Sequence, residues 1–214
     1  MIVSDFMIKN PICVGPETSI TEAKAKMVKE NISKLPVLDS GNRLVGMLTK
    51  NDLAKAAPSA ATTLDIYEMG YLLSKLKVEK VMTKKVVTVQ ADEVVEEAAR
   101  IMVDKEIGCL PVMKDDILVG IITETDLFQA FINMFGARHK GVRAFYEVTD
   151  KAGELAKLSD AIAKIGGNIV SVVTNEGSDS SNRCVTMKVL NISKDQFEGI
   201  LKNAGANILD LREI

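Results

Sequence analysis

Gly46-Met47-Leu48-Thr49-Lys50-Asn51-Asp52 decides how this chain is read, because a second copy follows at Gly120-Ile121-Ile122-Thr123-Glu124-Thr125-Asp126. Each copy comes after an apolar pair, Leu44-Val45 or Leu118-Val119, and runs into Leu53 or Leu127. The pattern predicts a short strand, a Thr, two variable residues, an Asp and then a helix. Thr-x-x-Asp before an apolar helix is a capping-box variant, in which a hydroxyl and a carboxylate occupy the positive end of the helix. Free N–H groups and a hydroxyl at a helix start also suit a phosphate. A carboxylate one turn away can accept from a ribose diol. The stretch therefore either only caps a helix or also holds a nucleotide.

Outward from these two stretches the chain repeats itself at an offset of roughly 75 residues, one fewer after the hairpin turn. Met7 matches Met82, Val14 matches Val89, Glu22-Ala23 matches Glu97-Ala98, Met27-Val28 matches Met102-Val103, and Leu35-Pro36-Val37 matches Leu110-Pro111-Val112. Each copy reads strand, helix, strand, strand, helix. Ala23, Met27 and Val28 are expected on one helical face, with Ser19 or Thr18 as N-cap and Glu22 in support. Two copies at this period indicate a tandem pair rather than a solenoid. Between them, 58–77 reads as a connector loop and a helix with a stripe of Leu64, Tyr67, Tyr71, Leu72 and Leu76.

Composition narrows the function classes. A hydrophobic content of 47% with 26% charged residues is ordinary for a globular protein. A formal net charge of −2 argues against nucleic-acid binding through bulk charge. No apolar run reaches the roughly 20 residues a bilayer requires, and the start lacks the pattern of a secretory signal. Cys13, Cys109 and Cys184 are scattered and odd in number, as expected of free thiols in a reducing compartment, so a cytoplasmic location is expected. One histidine, His139, and no paired cysteines give no His/Cys metal pattern. Neither a Gly-x-Ser-x-Gly elbow nor a P-loop occurs, and no catalytic constellation is visible.

Taken together, Gly-h-h-Thr-x-x-Asp twice, Leu-Pro-Val twice and Met82-Thr83 at the second opening resemble a tandem CBS-domain pair, or Bateman module. The resemblance covers the first two thirds of the chain. It implies two repeats, 1–57 and 78–135, associated about a pseudo-twofold axis with two clefts that take adenine nucleotides. The Asp would lie on the ribose and the Thr on the phosphate. The candidate nucleotide-binding residues are Ile12, Lys34, Pro36, Thr49, Asp52, Val87, Pro111, Thr123 and Asp126. Lys34 is expected to favour phosphate in the cleft of Thr49 and Asp52, and Glu124 to oppose it in the cleft of Thr123 and Asp126.

After a Gly-rich, charged stretch at 136–141, read as a solvated hinge, residues 142–214 alternate as βαββαβ, the ferredoxin-like split unit. Asp150-x-x-Gly153-x-Leu155 and Gly167-Asn168-Ile169 resemble an ACT domain, with Ala152 where that family usually has Pro. The resemblance implies dimerisation, or a small effector at the candidate residues Asp150, Gly153, Asn168 and Ile169. The CBS–CBS–ACT order resembles the bacterial acetoin-utilization B-type family. The expected fold class is α/β with α+β. The expected function is that of a regulatory protein without a reaction or cofactor of its own. It would sense an AMP, ADP or ATP-type ligand as a homodimer or larger assembly, with a metabolic enzyme as a candidate partner. Cyclic di-AMP and S-adenosylmethionine are alternative ligands, and an interaction scaffold with vestigial pockets is the alternative role.

Overall fold

The exchange of short lead-in segments between the two repeats organises the first half of the computed structural model, which describes residues 1–56, 71 and 73–214. The chain divides into two compact units, Met1–Leu127 and Phe128–Ile214. In the first repeat, helix α2 (Ile20–Lys29) is followed by the hairpin β2 (Lys34–Leu38) and β3 (Leu44–Thr49), then α3 (Lys50–Ala56). In the second, β4 (Val89–Gln90) and α4 (Val95–Asp104) precede the hairpin β5 (Cys109–Lys114) and β6 (Ile117–Thr123), then α5 (Glu124–Met134). Of the connector stripe, Leu64, Tyr67 and Leu72 lie outside the described residues, whereas Tyr71 is helical and exposed.

Chain order and spatial order differ here. The N-terminal helix α1 (Val3–Phe6) and strand β1 (Ile8–Lys9) pack on the second repeat, where Ile8 pairs with Ile121 and Val3 is fully buried among Leu110, Val112 and Ile122. Reciprocally, the 3-10 turn Val78–Lys80 packs on the first repeat. Val78 is fully buried among Leu35, Val37 and Leu48, and Thr83 bridges to Met47. The backbone repeats the symmetry, with bridges Ile2–Val94 and Ser19–Lys77.

The glycine that opens each repeated stretch now has a physical reason. A Cβ on Gly46 would run into the thioether of Met82, and one on Gly120 into that of Met7. Each glycine makes room for the methionine that the other repeat's lead-in segment lays across it, a close approach that only a missing side chain permits.

The local elements follow from their sequences. Ser19 caps α2, its Oγ accepting from Glu22 N at 3.2 Å while Glu22 Oε2 accepts from Ser19 N at 3.0 Å. Of the expected apolar face of α2, Ala23 and Met27 are buried. Val28 is instead 70% exposed, and its counterpart Val103 is 76% exposed. The core stripe is therefore narrower than the run of apolar residues suggests. Pro36 and Pro111 sit opposite Met47 and Ile121 within the hairpins.

The second unit keeps its strands to itself. Strands β7 (Val142–Thr149), β8 (Asn168–Glu176), β9 (Asn182–Leu190) and β10 (Asn207–Glu213) form an antiparallel sheet in the order β10-β7-β9-β8. Helices α6 (Glu154–Lys164) and α7 (Lys194–Asn203) complete the ferredoxin-like unit, mixed α/β like the rest of the chain. Alternate residues of β7, from Val142 to Val148, meet Leu158, Ile162, Phe197 and Leu201 in one core. Near the ends of α6, Leu155 and Ile165 are 37% and 43% exposed, and Leu158 and Ile162 are its buried pair.

The stretch 136–141 is exposed at 137–140, as a solvated segment should be, and is tied at both ends. Gly136 is buried, and its carbonyl accepts from the Lys188 ammonium at 2.8 Å. Gly141 exchanges two backbone hydrogen bonds with Ile214. Lys188 is only 1% exposed, and burial, with Arg143 nearby, lowers its pKa. The helix-end carbonyl gives that ammonium the partner a buried charge requires.

Candidate functional site

Within the first unit, a cleft of about 400 Å³ opens between the two repeats. Its size suits a small organic ligand. The first repeat contributes Lys34, Met47, Thr49 and Asn51. The second contributes Thr83 and Lys85–Val87, then Glu106–Cys109, Pro111 and Glu124. The hairpins bring these residues together because Lys34 pairs with Thr49, and Cys109 with Thr123, at the ends of their ladders. The exchanged segment closes the wall, since Thr83 and Met47 trade backbone hydrogen bonds at 2.9 Å each.

Four of the nine candidate nucleotide residues, Lys34, Thr49, Val87 and Pro111, line this one cleft. Ile12 packs on the first repeat's core, and Pro36 is buried in its hairpin. Thr123 and Asp126 belong to the equivalent helix start of the second repeat.

At both helix starts the carboxylate caps its own helix. Thr49 N and Oγ1 donate to Asp52 Oδ2 at 2.8 and 2.7 Å, and Asp52 N donates back to Thr49 Oγ1 at 3.2 Å. Thr123 N and Oγ1 donate to Asp126 Oδ2 at 2.7 Å each. Among the described residues, the donors all meet Oδ2 of each carboxylate, and a second oxygen, Oδ1, can accept further, so capping and ribose binding are compatible.

The expected division of charge between two clefts does not hold. Lys34 reaches across the repeat boundary and donates to Gly108 O, and it lines the same cleft as Glu124. The sequence reading assigned each helix start and its neighbours to a separate cleft. The two hairpins stay in separate sheets, but residues of both repeats line the one cleft between them. The Cys109 thiol registers both charges. Burial raises its pKa, the Lys34 charge lowers it, and the Glu124 charge raises it again. Gly108, Cys109, Glu106 and Asn51 were not among the candidates, because their place in the cleft depends on how the two repeats face each other.

The four ACT candidates do not converge within one chain. Asp150 and Gly153 follow the end of β7, near Asn182 of β9, whereas Asn168 and Ile169 pair with Leu190 and Val189 at the other end of β9. That is roughly 25 Å of strand at about 3.4 Å per residue. Asp150 is already paired with Arg183 at 2.8 Å, and its carboxyl is held below its ordinary pKa by that guanidinium. Gly153 precedes α6 with φ 92°, a conformation that accounts for a glycine there without a ligand.

Among the described residues, no group of three or more His, Cys, Asp or Glu side chains could hold a metal ion. No helix among them is long and apolar enough to cross a membrane.

Known proteins match the same two parts. The CBS domain model matches residues 3–59 and 78–133, more than half of the chain, and the TTHA0829-like ACT domain model matches 140–212. Both are regulatory modules. The CBS domain pair of protein MJ0100, solved in complex with 5′-methylthioadenosine and S-adenosyl-L-methionine, is 32% identical with a TM-score of 0.52. That match covers 65% of this chain and 98% of that one. A putative acetoin utilization protein from Vibrio cholerae is 29% identical with a TM-score of 0.54, covering 64% and 95%. CBSX2, solved in complex with AMP, is 31% identical with a TM-score of 0.51, covering 61% and 96%. Homoserine O-acetyltransferase of Methanohalobium evestigatum is 35% identical over 58% of this chain, but the match spans only 23% of the enzyme. The chain belongs to the CBS domain family, as a tandem CBS pair followed by a TTHA0829-like ACT domain.

Proposed function

We propose that this chain is a regulatory protein that binds an adenine nucleotide or another adenosyl ligand in the clefts of its CBS pair. The observation that carries the reading is the cleft between the repeats, where Lys34, Thr49, Val87 and Pro111 converge. Structural relatives solved with AMP, or with S-adenosylmethionine and methylthioadenosine, support the ligand class. In this reading Thr49 and Thr123 face phosphate or its replacement, and Asp52 and Asp126 hold the ribose through their Oδ1 oxygens. The ACT unit serves for dimerisation, its edge strands β8 and β10 being open to a second copy, or for a small effector. A role in acetoin or acetate metabolism rests on the likeness to the Vibrio cholerae protein. The scaffold reading has one observation in its favour, the engagement of both carboxylates in helix caps.

Calorimetric titration of ligand-free protein with AMP, ATP, cyclic di-AMP and S-adenosylmethionine tests the proposal, together with Asp52→Ala and Asp126→Ala. Both variants lose a cap, worth about 1 kcal/mol of stability. If the carboxylates also hold ribose, affinity at the altered cleft falls roughly ten- to hundredfold. A cap loss with unchanged affinity in both variants rules out the ribose role.

A further inference from the structure

The cleft between the repeats carries its own counter-charges. Lys34 donates to Gly108 O, and Glu124 covers the same peptide so closely that a Cβ on Gly108 would lie 2.8 Å from Glu124 Oε2. The remaining charged residues of the lining are Lys85 and Glu106, so two lysines face two glutamates and the wall has no net charge. Glu106 sits at φ 52°, a left-handed conformation that favours Asn over Glu. Its repeat counterpart is Asn31, at φ 51°. The second repeat therefore holds a carboxylate in this wall where the first has a neutral side chain.

The same correspondence places Lys50 at the position of Glu124. Lys50 N donates to Ser33 O at 2.9 Å, as Glu124 N does to Gly108 O at 3.4 Å. The two helix starts are thus built alike but carry opposite charges at this one position.

We infer, building on the adenosyl-sensing reading above, that the cleft at Gly108 selects an adenine nucleoside whose 5′ substituent carries no net negative charge. A thioether or a sulfonium fits that description, and a nucleoside polyphosphate does not. Glu124 is the selecting residue. A polyphosphate needs cations in excess, but the Lys34 ammonium already serves a backbone carbonyl, and the charges of Lys34 and Lys85 are matched in the lining by Glu106 and Glu124. A thioether demands no counter-charge, and a sulfonium gains from Glu124. Apolar Met47, Val87 and Ile107 offer such a substituent dispersion contacts that a phosphate cannot use.

The test is titration of the full chain at low salt with 5′-methylthioadenosine, S-adenosylmethionine, AMP and ATP. The thioether or the sulfonium should bind at least roughly tenfold more tightly than ATP, and added salt should narrow the gap. Glu124→Gln should raise ATP affinity relative to methylthioadenosine by roughly fivefold, in line with one partly exposed charge. Glu124→Asp keeps the charge and should keep the selectivity, which separates charge from packing. Thermal melting confirms that both variants fold. If ATP binds as tightly as methylthioadenosine, or Glu124→Gln leaves the ratio unmoved, charge selection is overturned while adenosyl sensing stands. If none of the four compounds binds, charge selection falls, and if cyclic di-AMP fails to bind as well, adenosyl sensing falls with it.

Discussion

The first unit and the second reach compactness by opposite means. In the CBS pair, each repeat completes its core with a segment borrowed from the other, Val3 entering the second repeat and Val78 the first. In the ACT unit every strand pairs within 142–213, and the core draws on its own two helices. The difference teaches that a repeat boundary read along the chain is not a folding boundary. The two repeats complete each other's cores, and a ligand in the cleft between them touches residues of both.

The strongest way to break this contrast is to delete residues 1–9. The deletion removes a fully buried valine, half-buried Phe6 and Met7, and strand β1 from the second repeat. At about 25 cal/mol per Å² of apolar surface, and roughly 1.5–3 kcal/mol for each large side chain, the loss is on the order of 4 kcal/mol. Hydrogen exchange should show lost protection at Gly120 and Ile121 of β6, with β3 less affected. Equal loss at β3, or none at β6, would contradict the exchange.

A smaller effect is expected from single methyl groups. Gly120→Ala and Gly46→Ala each force a methionine aside and should cost roughly 1–3 kcal/mol, as overpacking does. The Gly120→Ala cost should be the larger, because a Cβ there also meets the Ile8 carbonyl at 3.0 Å, whereas one on Gly46 meets only the Met82 side chain. Chemical denaturation of both variants gives the comparison. Adding Met7→Ala to Gly120→Ala should recover part of the Gly120→Ala penalty. Additive losses instead would mean that the contact is not what requires the glycine.

The smallest expected effect sharpens the other side of the contrast. On the ACT sheet, Asp210 accepts from Arg212 and Arg143, and hydrogen bonding to Arg212 is the main reason its carboxyl titrates below the ordinary range. A depressed folded pKa stabilises the fold above the unfolded value of about 3.9, and that contribution is lost as pH falls through the folded value. Asp210→Asn should therefore lower the melting temperature at neutral pH and flatten its fall below about pH 4. A slope identical to that of the parent chain would remove Asp210 from the acid response.

Much of this molecule was legible along the chain for specific reasons. The two Thr-x-x-Asp stretches marked both helix starts, because capping is local and needs only neighbouring residues. The match of Met7 to Met82 and of Gly46 to Gly120 was visible as repetition, but not as two contacts. Those contacts join residues more than 30 positions apart. In the same way Lys34 and Glu124 were read as belonging to separate clefts, since charge along a sequence carries no information about which walls will face each other.

The amino-acid sequence by itself determined the repeat, the helix caps, the hairpins and the βαββαβ order of the last unit, because each depends on hydrophobic period and turn chemistry over a few residues. Only the tertiary structure decided that the lead-in segments cross between repeats. It also decided that Gly136 anchors the Lys188 ammonium, and that Lys34, Cys109 and Glu124 share one cleft. The physical reason is the same in each case. Burial and charge act through space at a few ångströms, and the pairings that bring distant residues within that range are chosen by the fold as a whole.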